Sequence, residues 1–362
     1  MKQQDRAVLV LEDGSVFEGV PVGARGKAWG EVVFNTNMGG YHQMLTDPSN
    51  RGQILVLTYP LIGNCGVNEG DGESSQPQVR GLVVRELCAR PSHWRSQKPL
   101  EVYLAENGVV GIAGVDTRAL ARRLRDRGTM RGVIAAGGDA AALVQEAQGA
   151  PHLGEQALVD EVMTSKPYLY ADGDGPRITV LDFGVKESIL RALAARGCRV
   201  YVVPGRFGAG QILADSPGGV VLSNGPGDPE ALPFAWETVR ELAGRAPLFG
   251  IGLGHQILAR AFGAETFRMK PGHRGGNYPV KDVRTGRVYI TAQNHGFAVR
   301  DASWSDPELV VSHRNVNDGT VEGLAHRALP VLSVQFDPVG VPGPRDGEHL
   351  FDQFLSEVKR SA

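Results

Sequence analysis

Nowhere in this chain do 18 apolar residues follow one another, which excludes a transmembrane helix. Cysteine is scarce, with Cys65, Cys88 and Cys198 making up the whole complement. An odd, widely spaced set of this kind forms neither a disulfide framework nor a metal cluster of recognisable spacing. It suits a reducing, cytoplasmic setting. The nine histidines make no HxxxH pattern and no CxxC accompanies them, so spacing predicts no metal site. An excess of either charge is missing too. The 38 Lys and Arg residues against 40 Asp and Glu leave a formal net charge of −2, which draws in neither nucleic acid nor an anionic membrane. The opening MKQQDRAVLVLEDG meets acidic residues directly after a short apolar stretch, so it reads as a strand and turn rather than a signal peptide.

What is present is an apolar fraction of 42% spread over 362 residues, enough for two domains with separate cores. The first part reads as mostly β. Segments Ala7 to Leu11 and Ser15 to Val20 flank Asp13-Gly14, a hairpin signal. Further strands are expected at Glu31–Asn35, Gln53–Tyr59 and Gly81–Leu87. A helix follows from about Thr117 to Arg127, capped by Asp116, with Leu120 and Leu124 on one face. It also carries Arg118, Arg122, Arg123, Arg125 and Arg127. These read as a solvated face, with Asp126 among them, in preference to a phosphate or partner site.

The hydrophobic pattern weakens between Gly149 and Arg177, and KPYLYADGDGPR looks like a linker. We therefore expect an N-terminal β-rich α+β domain over residues 1–150, a linker over 151–176 and a second domain over 177–362. Strands at Ile178–Leu181, Cys198–Val203, Gly219–Ser223 and Pro247–Ile251 alternate with helical segments. The first of these segments, Val185 to Ala195, is ended by Gly197. That alternation predicts an α/β, doubly wound, mostly parallel sheet with right-handed crossovers. Its active site belongs at the carboxyl ends of the strands.

Two glycine-rich turns stand at those ends. One is Ser223-Asn224-Gly225-Pro226-Gly227-Asp228-Pro229, and the other is Phe249-Gly250-Ile251-Gly252-Leu253-Gly254-His255-Gln256. The second has the outline of a nucleophile elbow, a sharp turn between an apolar strand and a helix N-terminus. Read alone, Gly-x-Gly-x-Gly fits equally a plain strand-to-helix turn or a phosphate loop.

The stretch from Gly219 to Phe354 resembles a class I glutamine amidotransferase domain, which carries G-x-C-x-G-H-Q, NGPGDP, QNHGF and a late H-P-E. The first half narrows the resemblance. LEDGSVFEGVPVG, EVVFNTNMGGYHQMLTDPSNRGQI, TYPLIGNCGVN and GIAGVDTRALARRLRDRGTMRG resemble the N-terminal domain of the carbamoyl-phosphate synthetase small subunit, and DFGVKESILRALAARGCRVYVVP fits the same subunit.

The resemblance implies a glutamine pocket formed by Gly225, Gly227, Leu253, Gln256, Asn294, Gly296 and Phe297. Backbone N–H groups near Gly227 and Leu253 would cradle the amide carbonyl and its oxyanion. Asn37 stands where the family has the serine of N-T-S-M, a further glutamine contact. The catalytic cysteine, histidine and glutamate of the family fall on Gly252, Asp337 and Val339. Glycine offers no nucleophile, aspartate is a poor base at neutral pH and valine orients nothing, so glutamine hydrolysis is expected to be lost. His255 and His295 adjoin the site with structural or binding roles.

Other departures are Pro271–Val280 (PGHRGGNYPV for the family's F-G-H-H-G-x-N-H-P-V), and Glu187 and Ser188 for a basic residue and asparagine. The resemblance further implies a cytoplasmic heteromer with the synthetase large subunit, serving pyrimidine or arginine biosynthesis. Cofactors are expected to be none in this chain, with ATP and magnesium on the large subunit alone. The rival readings are a working glutaminase with an unrecognised nucleophile and a free glutamine-binding sensor.

Overall fold

Alternation of side chains across a strand sorts apolar residues onto two faces, and the second half of the chain shows the result most clearly. The computed structural model describes residues 6–361, which divide into two compact units, one ending at Gln156 and the other starting at Ala157.

The first unit is built on strands β1 (Ala7–Leu11), β2 (Val16–Gly23), β3 (Lys27–Asn35), β4 (Gln53–Leu57), β5 (Leu61–Ile62), β6 (Gly81–Val83), β7 (Glu86–Leu87), β8 (Val110–Ala113) and β9 (Met130–Ala135). Seven of them close into a barrel in the order β1-β2-β8-β6-β4-β3-β9. β1 and β2 form the expected antiparallel hairpin, with Val10 opposite Val16. β3, β4, β6 and β8 run parallel to one another. Helix Thr117–Arg127 is capped as expected, Asp116 accepting from Ala119 N, and it buries Leu120 and Leu124 against Ile54, Val56 and Ile112.

The second unit contains β10 (Tyr168–Asp172), β11 (Arg177–Asp182), β12 (Arg199–Pro204), β13 (Gly219–Leu222), β14 (Leu248–Ile251), β15 (Thr266–Asp282), β16 (Val288–Val299), β17 (Leu309–Asn315), β18 (Val321–His326) and β19 (Val331–Val334). They form one sheet ordered β10-β12-β11-β13-β14-β19-β18-β16-β15-β17. The central strands β12, β11, β13, β14 and β19 are parallel. Each face carries its own core. Ile178, Val180, Val221, Phe249 and Ile251 pack with helices Glu187–Ala194 and His349–Ser361. Their alternate neighbours Leu181, Val220, Leu222 and Leu248 pack with helices Ala209–Ala214, Pro233–Leu242 and Leu253–Ala261. This is the doubly wound α/β arrangement, extended by an antiparallel arm of β18, β16, β15 and β17.

Residues 151–176 are not the linker that composition predicts. They hold helix Leu158–Val162, whose Leu158 and Val159 are buried, and β10, which pairs antiparallel with β12. Glycine and aspartate in DGDG mask this strand because the glycines serve close approach: a Cβ on Gly173 would lie 2.3 Å from Gly197 O. No helix among the described residues is long and apolar enough to cross a membrane.

Candidate active site

Strand β14 ends at Ile251, and the chain turns at Gly252 into helix Leu253–Ala261. Gly252 has φ 58° and ψ −111°, a region in which L side chains are strained and glycine is not. Its N–H donates to Val334 O at the end of β19, and Gly252 O accepts from His255 N and Gln256 N. This is the geometry of a nucleophile elbow with no side chain at its apex. A Cβ there would meet Asn224 Cβ at 3.3 Å, so space for a side chain is nearly available. Leu253 opens the helix, and a first-turn N–H has no intrahelical acceptor.

The parallel pairing of β14 with β19, Ile251 opposite Val334, brings the segment after β19 beside the elbow. Asp337 lies in it, bridged to Ala292. Its carboxylate is fully engaged. Oδ2 accepts from Lys186 Nζ at 2.6 Å and from Val341 N at 3.3 Å, and Oδ1 accepts from Val339 N at 2.9 Å. The Lys186 side chain is 5% exposed and also donates to Val341 O. Val339 is buried in the apolar cluster containing Phe336, Leu350 and Phe351. Of the three cysteines, Cys65 and Cys88 belong to the first unit, and Cys198, in the second, is buried in the core beside β12. Burial pushes the Cys198 thiol above its usual range, the opposite of what a nucleophile needs.

The residues expected to hold glutamine occupy three neighbouring segments of the second unit. Gly225 and Gly227 follow β13, and Gly227 takes φ 93°. A Cβ on Gly225 would lie 2.1 Å from Phe183 O, so this turn accepts only glycine. Leu253 and Gln256 start the elbow helix, while Asn294, Gly296 and Phe297 lie on β16. Gln256 Nε2 is committed within the protein, donating to Phe297 O and Gln335 Oε1, both at 2.9 Å. That contact fixes the elbow helix to β16. Asn37 belongs to the first unit, where its N–H donates to Asn35 Oδ1 at 2.9 Å.

His255 is fully buried with Nδ1 2.8 Å from Ser333 Oγ, and burial drives it down to about 3. It is a neutral packing residue. The sequence departures also have internal partners: Glu187 accepts from Tyr170 OH, and Arg274, buried on β15, donates to Pro271 O at 2.9 Å. In the first unit, Arg118, Arg122 and Arg125 line a cleft of about 830 Å³ with Arg85, Phe34 and Thr58. Arg123 instead pairs with Asp13.

Residues 9–134 match the family described as carbamoyl-phosphate synthase small chain, CPSase domain, and residues 179–357 match glutamine amidotransferase class-I. The carbamoyl phosphate synthase small chain of Symbiobacterium thermophilum is 53% identical, over 97% of this chain and 98% of the relative. That of Syntrophotalea carbinolica is 48% identical over 98% of each. The pyrimidine-specific small chain of Halalkalibacterium halodurans is 48% identical over 98% of this chain and 96% of its own length. On this end-to-end similarity the chain belongs to the carbamoyl-phosphate synthase small-chain family.

Proposed function

We propose that this chain is the small subunit of a carbamoyl-phosphate synthase whose glutaminase step has been lost. The observation that carries the reading is the elbow itself, where Gly252 holds the strained apex conformation and presents no atom that can attack a carbonyl. Thioester chemistry needs a thiolate, a base to activate it and a group to orient that base. At the two other positions that the family resemblance assigns to catalysis, Asp337 is neutralised by Lys186 and Val339 is core packing. Asp337 is held by Lys186 and by two backbone N–H groups, and valine has no basic atom.

The role left to the chain is to dock on a large synthetase subunit that holds ATP and magnesium, and to support synthesis from free ammonia. The pyrimidine-specific relative favours pyrimidine biosynthesis as the pathway served. The reconstituted pair should make carbamoyl phosphate from ammonia and not from glutamine. Release of glutamate should stay at background for the unmodified chain and for Gly252→Cys. It should first appear in the triple variant Gly252→Cys, Asp337→His, Val339→Glu, because triad members act as a unit. Robust glutamine-dependent synthesis by the unmodified pair overturns this reading.

A further inference from the structure

We infer that His273, His295 and Glu322, together with Gln293, form a buried site for a divalent cation of the zinc class in the antiparallel arm of the second unit. His273 on β15 pairs across the ladder with His295 on β16, and Glu322 comes from β18 on the other side of β16. One ligating atom from each of the three lies within 4.8 Å of the others. The residues are 7%, 8% and 0% exposed. Gln293, on the same face of β16 as His295, places Oε1 at 2.9 Å from His273 Nδ1 and 2.8 Å from His295 Nε2.

The hydrogen bonds around this cluster aim its lone pairs inward. His273 Nε2 lies 2.8 Å from Asp318 Oδ2, and a carboxylate only accepts, so that nitrogen carries a proton. His295 Nδ1 lies 2.8 Å from Phe297 O, which also only accepts, so His295 is protonated there. Its Nε2 therefore offers a lone pair to the centre, and a neutral His273 offers Nδ1. A carboxylate or carbonyl on the far nitrogen is the usual outer partner of a metal-bound histidine, fixing tautomer and ring orientation.

Glu322 supplies the charge. Oε1 accepts from Asn315 Nδ2 at 3.0 Å and lies 3.4 Å from His273 Nδ1, while Oε2 is buried with no hydrogen-bond partner. An unpaired buried carboxylate oxygen costs several kcal/mol unless a cation or proton meets it.

Two imidazole nitrogens, one carboxylate and one amide oxygen make a borderline donor set that suits zinc and its first-row neighbours rather than calcium or magnesium. The separations present, 2.8–2.9 Å to Gln293 Oε1 and 3.4 Å between His273 and Glu322, fall on either side of the ~3.3 Å that ligand atoms of a tetrahedral zinc ion keep from one another. With Glu322 beside it and Asp318 behind His273, a divalent charge is balanced. Such a closed site would be structural, tying the β15–β16 pair to β18.

Zinc content is measured by mass spectrometry on the folded full-length chain, loaded with zinc and freed of excess. Cobalt loading provides a spectroscopic check through the visible absorption of a four-coordinate ion. One equivalent per chain is expected, with a higher Tm than the chelator-treated protein. Glu322→Gln and His273→Gln should lose the ion, and Asp318→Asn, in an exposed turn, should weaken it by about 10–100-fold. A folded unmodified chain that stays metal-free at micromolar zinc overturns the site, leaving a proton on His273 to neutralise Glu322. Retention of the full equivalent by a folded His273→Gln variant overturns it too. If the variants do not fold, the unmodified chain's stoichiometry and cobalt spectrum decide.

Discussion

Lys186 Nζ and Asp337 Oδ2 lie 2.6 Å apart, with the lysine side chain only 5% exposed and the aspartate 15%. A buried ion pair adds little over apolar packing, but breaking one strands the surviving charge. Asp337→Asn keeps an acceptor for Val339 N and removes the countercharge. It should cost about 3–5 kcal/mol in urea unfolding. Lys186→Met with Asp337→Leu should recover most of that loss, and a double variant no more stable than the single would argue against the pair.

At the elbow, relief of backbone strain is measurable. Gly252→Ala adds a Cβ at φ 58°, 3.3 Å from Asn224 Cβ. It should destabilise by about 1–3 kcal/mol without changing ammonia-dependent synthesis. A neutral or stabilising result would mean that the turn relaxes out of the elbow conformation.

Buried histidines set an acid limit. Burial lowers His255 to about 3 and His313 to about 4. An unfolded histidine takes up its proton near 6.5, so below that pH the unfolded state binds more protons than the native one. Stability should fall as pH drops from 6.5 towards 4, by up to about 1.4 kcal/mol per pH unit for each residue. Denaturant titrations at pH 7.0, 6.0 and 5.0 (about one unit apart, spanning the free histidine value) should show this slope. His255→Gln should make it shallower, with His313 and His295, both also held below the free value by burial, carrying the rest.

The C-terminal helix rests on a glycine. A Cβ on Gly219 would lie 2.7 Å from both Phe354 Cζ and Val358 Cγ2, and Phe249 meets Phe351 edge-on and Phe354 at a tilt, with ring centroids 5.6 Å away in each case. Gly219→Ala should therefore cost about 1–3 kcal/mol by overpacking. Phe351→Ala should cost about 3–5 kcal/mol through the cavity it leaves. Thermal unfolding of both variants tests the ranking.

Much of this fold is legible in the sequence. The Asp13-Gly14 hairpin, the Asp116 cap and the strand-turn-helix at Gly252 are local signals, carried by residues adjacent in the chain, and each appears where its chemistry places it. Strand β10 is hidden because the glycines that follow it report closeness to Gly197, a contact 24 residues away for Gly173. The Lys186–Asp337 pair spans 151 positions, and no spacing rule links such residues. The same holds for His273, His295 and Glu322, which carry no ligand motif because the β15–β16–β18 ladder, not one turn of helix, brings them together. The arginines of Thr117–Arg127 look like one charged face in sequence, yet Arg123 leaves it to meet Asp13.

Strand β10 bears on how the second unit can be handled separately. It covers the outer side of β12, whose backbone groups would otherwise face solvent along Arg199 to Val202. A fragment started at Arg177, where composition suggests the boundary, would expose that row of donors and acceptors to other copies. One started at Ala157 retains the cover and the helix Leu158–Val162. Light scattering on the two fragments should find the shorter one self-associating and the longer one monodisperse.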